Sequence, residues 1–230
     1  MYQYIFAKIV KLLNFVEFSM RNILYVHGMG GGSDSRIPSI LQNEFSGTDI
    51  NVVVRTYDFD PEIGAEQVEK WTEELCPSLV IGESLGSLHA LRIKGVPHIT
   101  ISPALNAPKY FGLLSFLVIL PGVTGIFDRI YKPREGDRQH LHFTREILRK
   151  YPPLRRKTLE NSTRSGSRDY FHAFIGTQDH YRRSGIVSLR TWKRHFGETY
   201  SIYDGTHFME EEFVRTLLKD KVLEVLNINK

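Results

Sequence analysis

The five residues Gly82-Glu83-Ser84-Leu85-Gly86 constrain this chain more than any other stretch. The run Ser78-Leu79-Val80-Ile81 leads into them with the pattern of a buried strand. Leu85, Leu88, Ala90 and Leu91 follow at helical spacing, closed by Gly95. A chain that passes from strand to helix so quickly must reverse at Ser84 with strained dihedrals. Strand and helix then approach so closely that side chains at Gly82 and Gly86 would block them. Such a turn exposes the Ser84 hydroxyl at the tip of a sheet and at a helix N-terminus, where developing negative charge is favoured. An ordinary Gly-Ser turn could use the same residues, so the weight falls on their surroundings.

Those surroundings alternate. Ile23 to Val26, Asn51 to Tyr57, Ser78 to Ile81, Pro97 to Ile101, Tyr170 to Gly176 and Glu198 to Tyr203 read as six strands. Helices are expected over Ile37 to Phe45, Glu66 to Leu75, the segment after Ser84, and Gly185 to His195. An amphipathic closing helix carries Phe213, Val214, Leu217, Leu218, Val222, Val225 and Leu226. Strands and helices in this rhythm predict an α/β domain with a mostly parallel sheet and helices on both faces. The 230 residues suffice for one such domain over 20–230. The alternation breaks at about 106–168, where an apolar stretch from Phe111 to Val123 precedes a basic tract from Arg129 to Arg168. We read this insertion as a cap. Its apolar part is expected to be a buried lid helix or the lining of an acyl pocket. Its basic part reads as a solvated face or an attractor of acidic substrates or lipid headgroups. No recognition motif accompanies the basic tract, so nucleic acid is not an expected partner.

Residues 1–19 are apolar but interrupted by Lys8 and Lys11. They lack the order of a secretory signal and the length of a membrane span. Three readings stay open: an extra helix packed on the domain, an interfacial membrane anchor, or sequence upstream of a true start at Met20. The one cysteine, Cys76, excludes an internal disulfide and suits a reducing, cytoplasmic setting. Its place beside Pro77, just ahead of a strand, suggests a half-buried small hydrophobe.

Three loops at expected strand ends offer Ser84, Asp179 and His207, in that order. A serine hydroxyl is barely nucleophilic at neutral pH and needs a base. Histidine supplies it, and a carboxylate fixes the imidazole's tautomer. Asp179 has rivals in Asp204, Asp58 and Asp60, and on its own it could be a helix N-cap. Among the other histidines, His89 and His98 read as core or interface residues. His140 and His142 lack the partners a metal would require, and no metal or cofactor is expected.

Strand-His27-Gly28, Gly82-Glu83-Ser84-Leu85-Gly86, Gly176-Thr177-Gln178-Asp179 and Gly205-Thr206-His207 together resemble the α/β-hydrolase superfamily over nearly the whole chain from Met20. They are similar to compact bacterial esterases of the YqiA-like kind. The resemblance implies a Ser84, Asp179, His207 triad cleaving carboxylic esters or thioesters through an acyl-enzyme. It implies an oxyanion hole from the Met29 and Leu85 amides, with His27, Gly28, Gly82 and Gly86 as structural support. The glycines of Gly28 to Gly32 fit that loop better than a phosphate cradle, because no Walker lysine follows them. Within the same resemblance an acyltransferase or peptidase could use the triad, and a non-catalytic module binding through its cap is the competing reading.

Overall fold

The computed structural model describes residues 20–132, 135–162 and 170–227; the segment 1–19 lies outside them. Six strands form one sheet: β1 (Arg21–Val26), β2 (Ile50–Val54), β3 (Leu79–Glu83), β4 (His98–Ile101), β5 (Phe171–Gly176) and β6 (Tyr200–Tyr203). Their order is β2-β1-β3-β4-β5-β6, and every pair is parallel. The chain winds outward from β1 to β2 and then returns to place β3 on the other side of β1. The direction of winding therefore reverses between β1 and β3. Loops leaving the carboxyl ends of two such strands splay apart and open a crevice.

The strands are apolar on both sides because helices cover both faces. Ile23, Tyr25, Leu79, Ile81, Ile99, Ile101 and Phe174 point to one side. There they meet α1 (Arg36–Glu44) and the closing helix, which runs from α9 (Glu211–Phe213) through a π-helical segment at Val214–Leu218 into α10 (Lys219–Val225). Leu24, Val26 and Val80 point the other way, toward α2 (Pro61–Leu75) and α3 (Ser87–Ala90). Ala173 and Ile175 share that side with α6 (Arg145–Ser162) and α8 (Leu189–Phe196). The buried Leu148, Tyr151 and Leu154 of α6 belong to that layer.

Several elements depart from the sequence expectation for local reasons. Helix α2 starts at Pro61, five residues before Glu66, because Asp60 accepts from the Glu62 N–H at 2.9 Å and Pro61 fits the first helical turn. Helix α8 starts at Leu189, where the Ser188 hydroxyl accepts from the Thr191 N–H. A short α7 (Tyr181–Ser184) precedes it. Cys76 is exposed rather than half-buried: it ends α2 in the left-handed region at φ 44°, which turns it off the apolar face.

The apolar stretch from Phe111 to Val123 is not a buried lid helix. It splits into α4 (Ala107–Leu117) and α5 (Val123–Ile130) around Pro121 and Gly122, the latter at φ 82°. Phe111 and Leu114 pack on the core, whereas Leu113, Phe116, Leu117, Ile119 and Leu120 are exposed. One apolar stretch folded into a hairpin has more apolar faces than the domain can cover.

Candidate active site

Gly82 and Gly86 are required by contact. A Cβ at Gly82 would stand 2.7 Å from Ala90 Cβ, and one at Gly86 would stand 2.2 Å from the His27 carbonyl oxygen. Without these side chains, α3 lies against β1 and β3, and the turn between them can tighten. Ser84 takes the strain at φ 47°, a left-handed conformation that costs a non-glycine residue about 1–3 kcal/mol. Strain of this kind lifts the side chain out of the sheet toward the crevice between β1 and β3.

Two other loops meet Ser84 there. The one after β6 brings His207, whose Nε2 lies 2.9 Å from Ser84 Oγ. The one after β5 brings Asp179, whose Oδ2 lies 2.8 Å from His207 Nδ1. The other Asp179 oxygen accepts from the Tyr181 N–H at 2.8 Å. Asp179 and His207 are both 3% exposed. Burial alone would raise the Asp179 pKa. The hydrogen bond and charge of His207, together with the Tyr181 amide, outweigh it and hold the carboxyl below its ordinary value. An ionised Asp179 accepts from Nδ1–H, which leaves the Nε2 lone pair facing the serine hydroxyl. The Tyr181 ring stands edge-on to the imidazole at 4.6 Å and limits its rotation.

The rival carboxylates are engaged elsewhere. Asp204 accepts from the Thr177 hydroxyl and the Gln178 amide. Asp60 caps α2 and pairs with Lys150 at 2.6 Å, and Asp58 accepts from the Asp60 N–H. His89 and His98 are buried, and His140 and His142 stack on each other with centroids 6.4 Å apart. Among the described residues no group of three His, Cys, Asp or Glu side chains could hold a metal ion.

His27 is fully buried, stacks on Tyr57 at 4.5 Å, and has Nδ1 2.8 Å from the Gly28 carbonyl oxygen. Burial lowers its pKa to about 4, so it stays neutral and serves as packing for the glycine loop. That loop has a second support the sequence did not reveal. Gln139, only 2% exposed, receives the Gly30 N–H on Oε1 at 3.0 Å and donates from Nε2 to the Tyr57 carbonyl at 3.1 Å. Its own N–H reaches the Gly31 carbonyl at 2.8 Å, and Tyr57 Oη donates to the His27 carbonyl at 2.9 Å. No local pattern marks Gln139, since its partners lie 82 and 109 residues away along the chain.

A cavity of about 750 Å³ opens over these groups. Gly28, Met29, Ser84, Leu85 and His207 form its floor; Phe111, Ile130, Tyr131 and Leu141, from the segment between β4 and β5, form its upper wall. The cavity thus has polar groups on one side and an apolar wall on the other, the mixed lining of a small-molecule pocket.

A parallel sheet in this order, with a strained serine turn after β3 and an acid and a histidine after β5 and β6, is the α/β-hydrolase fold. No protein-family model matches the chain, and no curated protein does. Solved structures do match. Est1E from Butyrivibrio proteoclasticus, with ferulic acid bound, superposes with a TM-score of 0.64 at 14% identity, covering 93% of this chain and 92% of that one. The Paleococcus ferrophilus monoacylglycerol lipase gives 0.58 at 15%, covering 90% and 95%. The thioesterase domain from the curacin biosynthetic pathway gives 0.54 at 13%, covering 90% and 91%. The likeness is one of fold.

Proposed function

We propose that this protein is a serine hydrolase that cleaves carboxylic esters or thioesters through an acyl-enzyme on Ser84. The observation that carries the reading is the continuous hydrogen-bonded line from Ser84 Oγ through His207 to Asp179. In the proposed reaction, Ser84 Oγ attacks the acyl carbonyl while His207 Nε2 takes its proton. Asp179 stabilises the imidazolium and does not itself accept the proton. The Met29 and Leu85 amides, both at the cavity, hold the negative oxygen of the tetrahedral intermediate. That intermediate collapses as His207 returns the proton to the leaving alcohol or thiol. Water then attacks the acyl-enzyme with His207 again as base, releasing the acid and free Ser84. The kinship with compact bacterial esterases is part of the same proposal; the lipase, esterase and thioesterase among the structural neighbours support ester hydrolysis in general.

The direct test is labelling of the intact protein with a fluorophosphonate, which phosphonylates only an activated serine. A single covalent adduct, mapped to Ser84 by peptide mass spectrometry, is expected. Absence of the adduct from folded protein would leave a hydrolase fold that binds without catalysis.

Gln139 supplies a second expectation. Gln139→Ala leaves the Gly30 N–H and the Tyr57 carbonyl without their partner, a loss of about 1–3 kcal/mol. Because the loop they fix carries Met29, kcat for a soluble ester is expected to fall about tenfold, equivalent to ~1.4 kcal/mol, with KM within about twofold. A rise in KM at constant kcat would instead place Gln139 in substrate binding.

A further inference from the structure

The outer face of the α4–α5 hairpin has no partner among the described residues. Leu113, Phe116 and Leu117 on α4, Ile119 and Leu120 in the turn, and Ile126 and Ile130 on α5 are each 52% to 68% exposed. Seven exposed large apolar side chains within the eighteen residues 113–130 are more than scattered surface positions, and an apolar patch with a polar rim marks an interaction site. Here the rim is basic. Lys109 lies one turn before Leu113 on α4, and Arg129 and Lys132 flank Ile126 and Ile130. All three are exposed and make no ion pair among the described residues. Arg183 joins them, because Tyr110 of α4 donates to the Ser184 carbonyl of α7 and draws the two helices together. Asp128 is the one acid on the hairpin; helical periodicity turns it away from Ile126 and Ile130 and leaves it one turn before Lys132, which follows the end of α5. The segment 106–168 as a whole carries thirteen Lys and Arg against five Asp and Glu.

We propose that this hairpin docks on the surface of an anionic lipid bilayer, with its apolar tip at the acyl boundary and its basic rim at the headgroups. The charge pattern selects this occupant. An apolar tip ringed by cations matches an interface with negative headgroups above hydrocarbon, and each ring cation adds attraction that salt screens. No helix among the described residues is long and apolar enough to cross a membrane, so the contact is peripheral. The hairpin is also the upper wall of the cavity: Phe111, Ile130, Tyr131 and Lys132 line it, while the tip residues Phe116 and Leu120 do not. Docking therefore sets the cavity beside the lipid surface. The inference goes beyond the hydrolase reading and stands without it, because binding is measured apart from turnover.

The experiment is co-sedimentation of the full chain with large unilamellar vesicles of phosphatidylcholine alone or with about one-third phosphatidylglycerol. Sedimentation is expected with the anionic vesicles, at least fivefold weaker with the neutral ones, and reduced by 0.5 M salt. Phe116→Glu combined with Leu120→Glu should cut binding to anionic vesicles more than tenfold. Hydrolysis of a soluble short-chain ester, if the parent shows it, should be unchanged. Leu113→Gln is an independent variant that adds no charge and should weaken binding severalfold. Equal sedimentation with both vesicle types would overturn the anionic preference. Binding that survives the double substitution would move the contact to another surface, such as residues 1–19, and overturn the assignment. If the parent ignores vesicles and light scattering shows a dimer that the double variant dissociates, the face joins two copies and the proposal fails.

Discussion

Ser84→Ala is expected to lower kcat for a carboxylic ester by about 10⁶-fold, some 8 kcal/mol of transition-state stabilisation. On the proposed mechanism a loss of this size comes from one atom, because the three groups would act as a unit. Without Oγ, His207 has no proton to take and the acyl group has nowhere to be held. Residual turnover, about 10³-fold over water, would come from the oxyanion donors acting on a bound ester. Folding should be nearly untouched. Alanine meets the same left-handed conformation at φ 47°, and the one hydrogen bond lost, 2.9 Å to His207, contributes about 1 kcal/mol. Thermal melts of the two proteins should therefore agree within a few degrees. A variant that keeps more than a tenth of the parent's activity would show that the nucleophile lies elsewhere.

Acidification from pH 7.5 to pH 5 is expected to remove about 4 kcal/mol of stability through two buried imidazoles. His27 is fully buried with its pKa lowered to about 4, and His89 is 2% exposed with its pKa lowered to about 3. Burial is the leading cause for both. The folded pKa values lie below the unfolded value of about 6.5, so the folded state is at its full advantage above that value. As the pH falls below it, the unfolded chain gains protons that the folded one refuses. At pH 5 each group has lost about 1.5 units of linkage, or ~2 kcal/mol. For a chain of this length that lowers Tm by roughly 8–15 °C. His89→Gln, whose amide cannot titrate, should remove its own ~2 kcal/mol of the pH dependence, leaving that of His27 and of His172, whose pKa burial also lowers to about 4. A Tm constant between pH 7.5 and 5 would show that the two rings titrate in the fold as they do in the unfolded chain.

His89 also shows where sequence reading succeeds. Its spacing within the segment after Ser84 places it among Leu88, Ala90 and Leu91, and the structure buries all four. The six strands and their parallel arrangement were legible in the same way, because burial on both faces demands continuous apolar runs. Strand ends were less legible: Val54 closes β2 three residues before the expected Tyr57, since its limit is set by the hydrogen-bonding length of β1 beside it. The hairpin was the largest departure. Apolar composition alone suggested burial for Phe116 and Leu120, and only the packing of α4 against α6 reveals that the domain is already full.

The contrast between Gly86 and Gln139 marks the boundary. Gly86, Ser84 and their flanking runs carry a local instruction: strand, strained turn, helix, with no room for a side chain. Chain order then put Asp179 and His207 at the ends of later strands, which is as far as local rules reach. The 2.8 Å and 2.9 Å contacts that join the three, the Gln139 bridge across the glycine loop, and the exposed hairpin over the cavity depend on residues about 30 to 120 positions apart. Such contacts exist only after a parallel sheet has brought its loops to one edge, so tertiary packing alone decided them.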